Sequence, residues 1–589
     1  MNILSLIPLI LTAQVETTTT ATATVSEPET ATPVERIEPV PTPSIPALIP
    51  PKFVAEEPAE EIPAEPANAL PADPELSAED ADLSSDDFFQ FSDFVNSFVT
   101  FVAGNKNVFA GPGERIGDTS GYRIGVDRDY NLFLENIDTR YSGFESLSRL
   151  VLYKKMPALW KNGETEAALA ALVLLDDETG QFRFFDSGTY LRVAHKFGDG
   201  HERDTGSVDF TAWPVSADRF RLGYTYIISW GGTSIFPGKL QSSSITEGAV
   251  PGFRVRWRAP HGKAYAYTGF KSALLLSRDP GVRAGERVPS YGFLVGGGYD
   301  LMDFLFLETN GGIFQKGTQE RPGVEGLEIQ AYGASTRLTL YKGKRPKPSN
   351  DYRLYKNDPS TPINYNLWRG FDPQTSYSLS FEASVLNQNL EDPDFFGTER
   401  LVQAVSAGLV AKSQFEHLHI RVDAFYQSPD FILFNVPGFV PFQATPADAQ
   451  TTPELFSAVT VRYDWDTVLP IQPRLSLGLK IPATYRGERL LEQGASVGGA
   501  STGEIRTQVI VDETRRTVLP PNTDAVPVFG ALLSVPVILS KTMAVNTNIR
   551  AEINDNQPRL AQDNERGEVT YIFDSPLRLG FSVVLQSRW

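Results

Sequence analysis

Three arginines at every second position, Arg254, Arg256 and Arg258, are set against Phe253, Val255, Trp257 and Ala259. Successive side chains of an extended chain point to opposite faces, so this spacing makes one charged face and one apolar face. Guanidinium groups in a row along a pore would attract anions, because rings or ladders of charge set pore selectivity. The same row could instead be structural, each arginine pairing with a carboxylate on a neighbouring strand or loop. His417 and His419 also share a face, with Asp423 further along it. A metal needs converging ligands, and two histidines are too few, so we expect solvated polar side chains there and no metal. The remaining histidines, His195, His201 and His261, bring no local signature of a Ser-His-acid hydrolase. We therefore expect no catalytic residues and no enzyme activity. Cysteine is absent, which removes disulfides, thiolate metal sites and cysteine nucleophiles. The clusters Gly111-Pro112-Gly113 and Gly231-Gly232 lack the lysine and hydroxyl of a phosphate loop and read as turns, so no cofactor is implied.

The elements that would position these residues are strands. Residues 220–230 alternate Phe220, Leu222, Tyr224, Tyr226, Ile228 and Trp230 against Arg221, Gly223, Thr225 and Ser229. The pattern recurs at 375–385, where Tyr377, Leu379 and Phe381 oppose Ser378, Ser380 and Glu382, and again at 417–426, 474–481 and 541–553. Alternation alone would also suit a soluble sandwich. Connection lengths separate the two. Brief ones (216–218, 260–263, 300–303, 540–542) alternate with long polar ones (231–250, 277–289, 389–399, 428–454, 486–503), the asymmetry of a barrel with short turns on one side of a membrane and loops on the other. This predicts that 220–230 rises outward and that the last strand descends. Trp230 then falls at an outer membrane interface, and Tyr463, Trp465 and Trp589 at the inner one, where aromatic girdles belong. The segment 342–374 interrupts the rhythm where a short inner turn is expected.

The fold class expected is all-β: a transmembrane antiparallel up-and-down β-barrel over residues 131–589, with about 18 strands, within the even-numbered range of such barrels. Residues 86–130 would form a short amphipathic helix at the barrel mouth or a first strand. Before them, residues 14–85 form an acidic Pro/Ala/Glu/Thr-rich linker that cannot bury a core and is expected to be disordered. The net charge of −19 is concentrated there: 17 acidic and 2 basic residues fall between Gln14 and Asp87. Residues 1–13 read as a signal peptide, with the apolar stretch ILSLIPLIL too short for a membrane helix of ~20 residues. No basic, aromatic-interleaved surface suggests nucleic acid.

The last thirteen residues, LRLGFSVVLQSRW, place Phe581, Val583, Leu585 and Trp589 on one face, with Ser587 interrupting it. This resembles the terminal β-signal of Gram-negative outer-membrane proteins, bound by the barrel-assembly machinery. The resemblance, together with the leader and the repeated amphipathic strands, implies a porin-like protein of the cell outer membrane in contact with lipid and lipopolysaccharide. The expected function is passive diffusion of small hydrophilic solutes. The alternative is a structural barrel that anchors an envelope-spanning or cell-surface complex, with residues 14–85 as an arm reaching peptidoglycan or a periplasmic protein.

Overall fold

The computed structural model describes most of residues 98–588. Residues 1–97, 110–144, 344–374 and Trp589 lie outside it, as do shorter stretches of which the longest are 231–250, 277–286, 434–443 and 488–504. The expected leader, the linker and most of the 342–374 segment thus lie outside the described residues.

Period-two patterning becomes strand after strand. The wall starts with β1 (Phe98–Asn105), β2 (Glu145–Met156) and β3 (Gly163–Asp176). β4 (Gln181–Asp186) and β5 (Tyr190–Lys196) share the next position in succession, since they pair with opposite halves of β3. β6 (Ser207–Trp213) follows, while β7 (Phe220–Leu222) and β8 (Ile228–Trp230) pair with each other as a separate hairpin. The wall resumes with β9 (Gly252–Arg258), β10 (Ala264–Leu276), β11 (Arg287–Met302), β12 (Leu305–Thr318) and β13 (Glu328–Lys342). It continues through β14 (Ser376–Glu391), β15 (Glu399–Phe415) and β16 (Leu418–Gln427). Helix α1 (Pro429–Leu433) and β17 (Gln450–Thr452) then lead to β18 (Glu454–Tyr463) and β19 (Arg474–Ile481). β17 joins β20 (Ala483–Gly487), β21 (Arg506–Ile510) and β22 (Arg516–Val518) in a four-stranded sheet separate from the wall. β23 (Val528–Ile538), β24 (Met543–Ile553), the hairpin β25 (Pro558–Gln562) and β26 (Val569–Phe573), and β27 (Leu577–Arg588) complete the chain.

β27 pairs antiparallel with β1 from Phe98↔Arg588 to Asn105↔Phe581, and β1 pairs with β2 on its other side. Among the described residues, 18 strand positions therefore close into a ring. Closure joins the first strand to the last, so the sheet has no free terminal strand to template aggregation. The register, followed once round the ring, returns to β1 about 20 residues further along, and such a stagger tilts the strands by roughly 35–45°.

Connections of a few residues (259–263, 303–304, 416–417, 539–542) gather at one end, where β1 starts and β27 finishes. Longer ones (214–251, 428–453, 482–527, 554–576) gather at the other. Two expectations need correction. Residues 220–230 are not a wall strand: β6 pairs directly with β9, Trp213 opposite Gly252, and among the described residues β7 and β8 pair only with each other. The β7 backbone approaches β12 and β13, three and four positions round the ring from β9. The connection expected at 389–399 also shrinks, because β14 and β15 run on to Glu391 and from Glu399. The 86–130 segment contributes β1, a strand, and this restores the count lost at 220–230.

Candidate functional site: the barrel lumen

Side chains on the two faces of the wall sort in the reverse of a soluble protein. On β14, Leu379 and Phe381 are exposed, while Ser380, Glu382 and Ser384 between them are buried. β19 repeats this with Leu475, Leu477 and Leu479 outside and Arg474, Ser476 and Lys480 inside. β24 does so with Met543, Ile549 and Ile553 outside and Asn546, Asn548 and Arg550 inside. An apolar outer surface on a ring whose backbone groups are satisfied internally is stable against hydrocarbon and unstable against water. This polarity places the barrel in an outer membrane.

Protein-family models and curated protein sequences give no match to the chain. Similar solved structures include OpdL of Pseudomonas aeruginosa (9% identity, 84% of this chain and 98% of that one, TM-score 0.37). OccK3 (OpdO) of the same organism shows 10% identity over 85% and 97%, with TM-score 0.38. OccAB2 of Acinetobacter baumannii shows 7% over 84% and 99%, with TM-score 0.37. Scores of this size add no weight to what pairing and polarity already establish.

The arginine row faces inward, as alternation predicts, and meets a carboxylate. Asp209 on β6 stands opposite Arg256 in the ladder and accepts from its Nε at 2.9 Å. Arg254 lies 3.5 Å from the same carboxylate, and Arg192 on β5 and Arg258 each 3.8 Å. Arg192 also bonds Glu166 on β3 at 2.9 Å, and the Tyr153 hydroxyl donates to Glu166 at 2.6 Å. Arg254 and Asp209 are 0% exposed, whereas Arg258, nearest the short turns, is 40% exposed. Four guanidiniums thus gather around Asp209, one of them also held by Glu166, and Arg258 is the one open at the inner mouth. The Arg254 guanidinium sits over the Trp213 ring at 5.7 Å, within cation–π reach.

Beside the arginines, β10 turns Tyr265 and Tyr267 inward, directly opposite Arg258 and Arg256. Their rings occupy space that the β11 glycines leave: a Cβ at Gly298 would lie 2.5 Å from the Tyr265 ring and 2.8 Å from Phe306. The glycine run in β11 thus lets bulky rings lie against the wall instead of projecting across the lumen. The Tyr265 hydroxyl donates to Glu308 at 2.7 Å. The far wall is polar and carries pairs of its own, with Ser335 donating to Glu382 at 3.1 Å, Lys480 pairing with Glu454 at 2.7 Å and Arg550 with Glu552 at 2.7 Å.

At the loop end, part of the mouth is filled. Ile329 of β13, Leu390 of β14 and Val402 of β15 all point inward, and they pack against Ile432 of α1, Ala444, Ala483 of β20 and Ile510 of β21. α1 starts one residue beyond β16 because the Ser428 hydroxyl accepts from Phe431 N–H while Ser428 N–H bonds the Val405 carbonyl of the wall. This cap lies on the β13–β16 side, whereas the arginine row belongs to β5 and β9. Burial pushes the Asp430 carboxyl in α1 above its usual range, against the pull of the Thr445 hydroxyl at 2.9 Å and of Arg400.

His417, His419 and Asp423 do not converge. His417 stacks on Tyr463, His419 lies 2.7 Å from the Asp464 carboxylate, and Asp423 accepts twice from Arg421 at 2.9 Å. Tyr463 and Trp465 stand exposed at the short-turn end, with Tyr377 and Phe415 in edge contact nearby. Trp230 ends the β7–β8 hairpin instead of a wall strand. Phe581, Val583 and Leu585 lie on the outward face of β27, opposite in parity to buried Ser582, Val584 and Gln586, and Trp589 falls outside the described residues. Sequence reasoning missed Asp209, Arg192, Glu166 and the cap. The cap's signal was an apolar run, Phe431-Ile432-Leu433-Phe434, inside a loop taken as polar.

Proposed function

We propose that the barrel is a porin-like channel through which small hydrophilic solutes diffuse, with anions favoured over cations. The observation that carries this is the polar, charge-laddered inner face, above all the row of guanidiniums on β5 and β9 that gathers around Asp209, with Arg258 partly exposed. The cap supports a narrow path, since among the described residues it occupies the β13–β16 side of the outer mouth. No covalent chemistry is needed. A solute enters, exchanges part of its hydration for contacts with Arg258 and neighbouring polar groups, and leaves down its gradient; occupancy must be weak for flux to be fast.

The test is the reversal potential across a planar bilayer in a salt gradient. Wild-type protein is expected to prefer chloride over potassium, and Arg258→Ser to reduce that preference by removing the most exposed charge of the row. Equal reversal potentials for the two proteins would remove the selectivity role and leave the arginines structural.

A further inference from the structure

The loop end carries a groove that the lumen reading does not use. Residues 519–527 lead into β23, and residues 554–576 join β24 to β27. Asn556 locks the two connections together: its Oδ1 accepts from Val526 N–H at 2.7 Å, and its Nδ2 donates to the Val526 carbonyl at 2.7 Å. Asn554 N–H donates to the Pro576 carbonyl at 2.9 Å, and Leu519 N–H to the Thr507 carbonyl at 2.9 Å, tying the groove to β21. Between them lies a cavity of about 460 Å³ with an apolar floor of Leu519, Phe573 and Pro576 and a rim carrying Thr523, Asp524 and Asp555. Its size falls among small-molecule sites.

We propose that this groove binds a neutral saccharide. The Phe573 side chain, half open to solvent, offers a flat ring to the C–H face of a pyranose. The Asp524 and Asp555 side chains offer acceptor oxygens matched to hydroxyl donors, and the Thr523 hydroxyl can both donate and accept. Among the described residues that line the groove the charged ones, Asp524 and Asp555, are both acidic, which disfavours an anionic ligand. The apolar floor contributes nothing to a bare cation. Asp524 meets Arg486 at 3.6 Å, but both side chains are open to water, so that pair is weak and leaves the carboxylate available. Because hydrogen bonds already fix both connections, binding orders little new backbone. This proposal is independent of whether the pore conducts.

Saturation-transfer NMR on the folded full-length protein in detergent tests this, with methyl glucoside, methyl galactoside, methyl mannoside, maltose and lactose as probes. Transfer to the ring protons of at least one is expected, weakened about tenfold by Phe573→Ala, weakened also by Asp555→Asn, and unchanged by Arg258→Ser. Absence of transfer to all five, or signals equal in wild type and both groove variants, would overturn the proposal. So would displacement of the sugar signal by tetramethylammonium, which would make the groove a cation site.

Discussion

Asp209 organises the charged wall. It is fully buried and lies within 4 Å of four guanidiniums drawn from two strands. Removing one partner of a buried ionic network costs more than the network contributes, because charge stays behind in a low dielectric. Asp209→Asn should therefore lower stability by about 3–5 kcal/mol in denaturant unfolding from lipid, as broken buried pairs do. A loss under about 1 kcal/mol would mean the arginines are balanced elsewhere. The arginine row itself was legible, since three arginines at spacing two can only share a face of a strand. Its partner was not, because Asp209 is 47 residues from Arg256 and meets it through the direct pairing of β6 with β9. A sequence fixes parity along a strand but not which strand lies alongside.

At the scale of elements, the cap is expected to give the molecule a pH response. The docked state holds Asp430 in a buried site that raises its pKa, with Arg400 as the opposing charge; Arg400 also lies 3.7 Å from Asp392 and 3.5 Å from Asp394. A raised pKa means docking is strongest with the carboxyl protonated, and the contribution fades as pH rises through the raised value. Acidification is expected to tighten the cap and lower conductance. Asp430→Asn should hold the low-conductance state across that range. A pH–conductance curve unchanged by the substitution would detach Asp430 from the gate. Elements were unevenly legible. Strands such as 376–385 and 474–481 were read with correct parity because lipid and lumen impose opposite demands on their two faces. Residues 220–230 show the same alternation yet lie outside the wall, because alternation records two unlike faces and not the partner beneath them.

For the whole molecule, the ring of 18 positions is the central fact, and the expected number was reached with one strand lost at 220–230 and one gained at Phe98–Asn105. Barrels of this size leave an aqueous channel unless something occupies it, and here the cap occupies part of one mouth. Whether solutes pass is therefore the claim on which the account stands. Single-channel conductance of the refolded full-length protein in a planar bilayer measures it most directly, alongside Ile432→Asp, which places a charge in the apolar contact between α1 and the wall. The account predicts stable steps that scale with salt in the wild type and larger steps in the variant. Folded protein that is silent in both forms would contradict it and turn attention to a barrel that anchors rather than conducts.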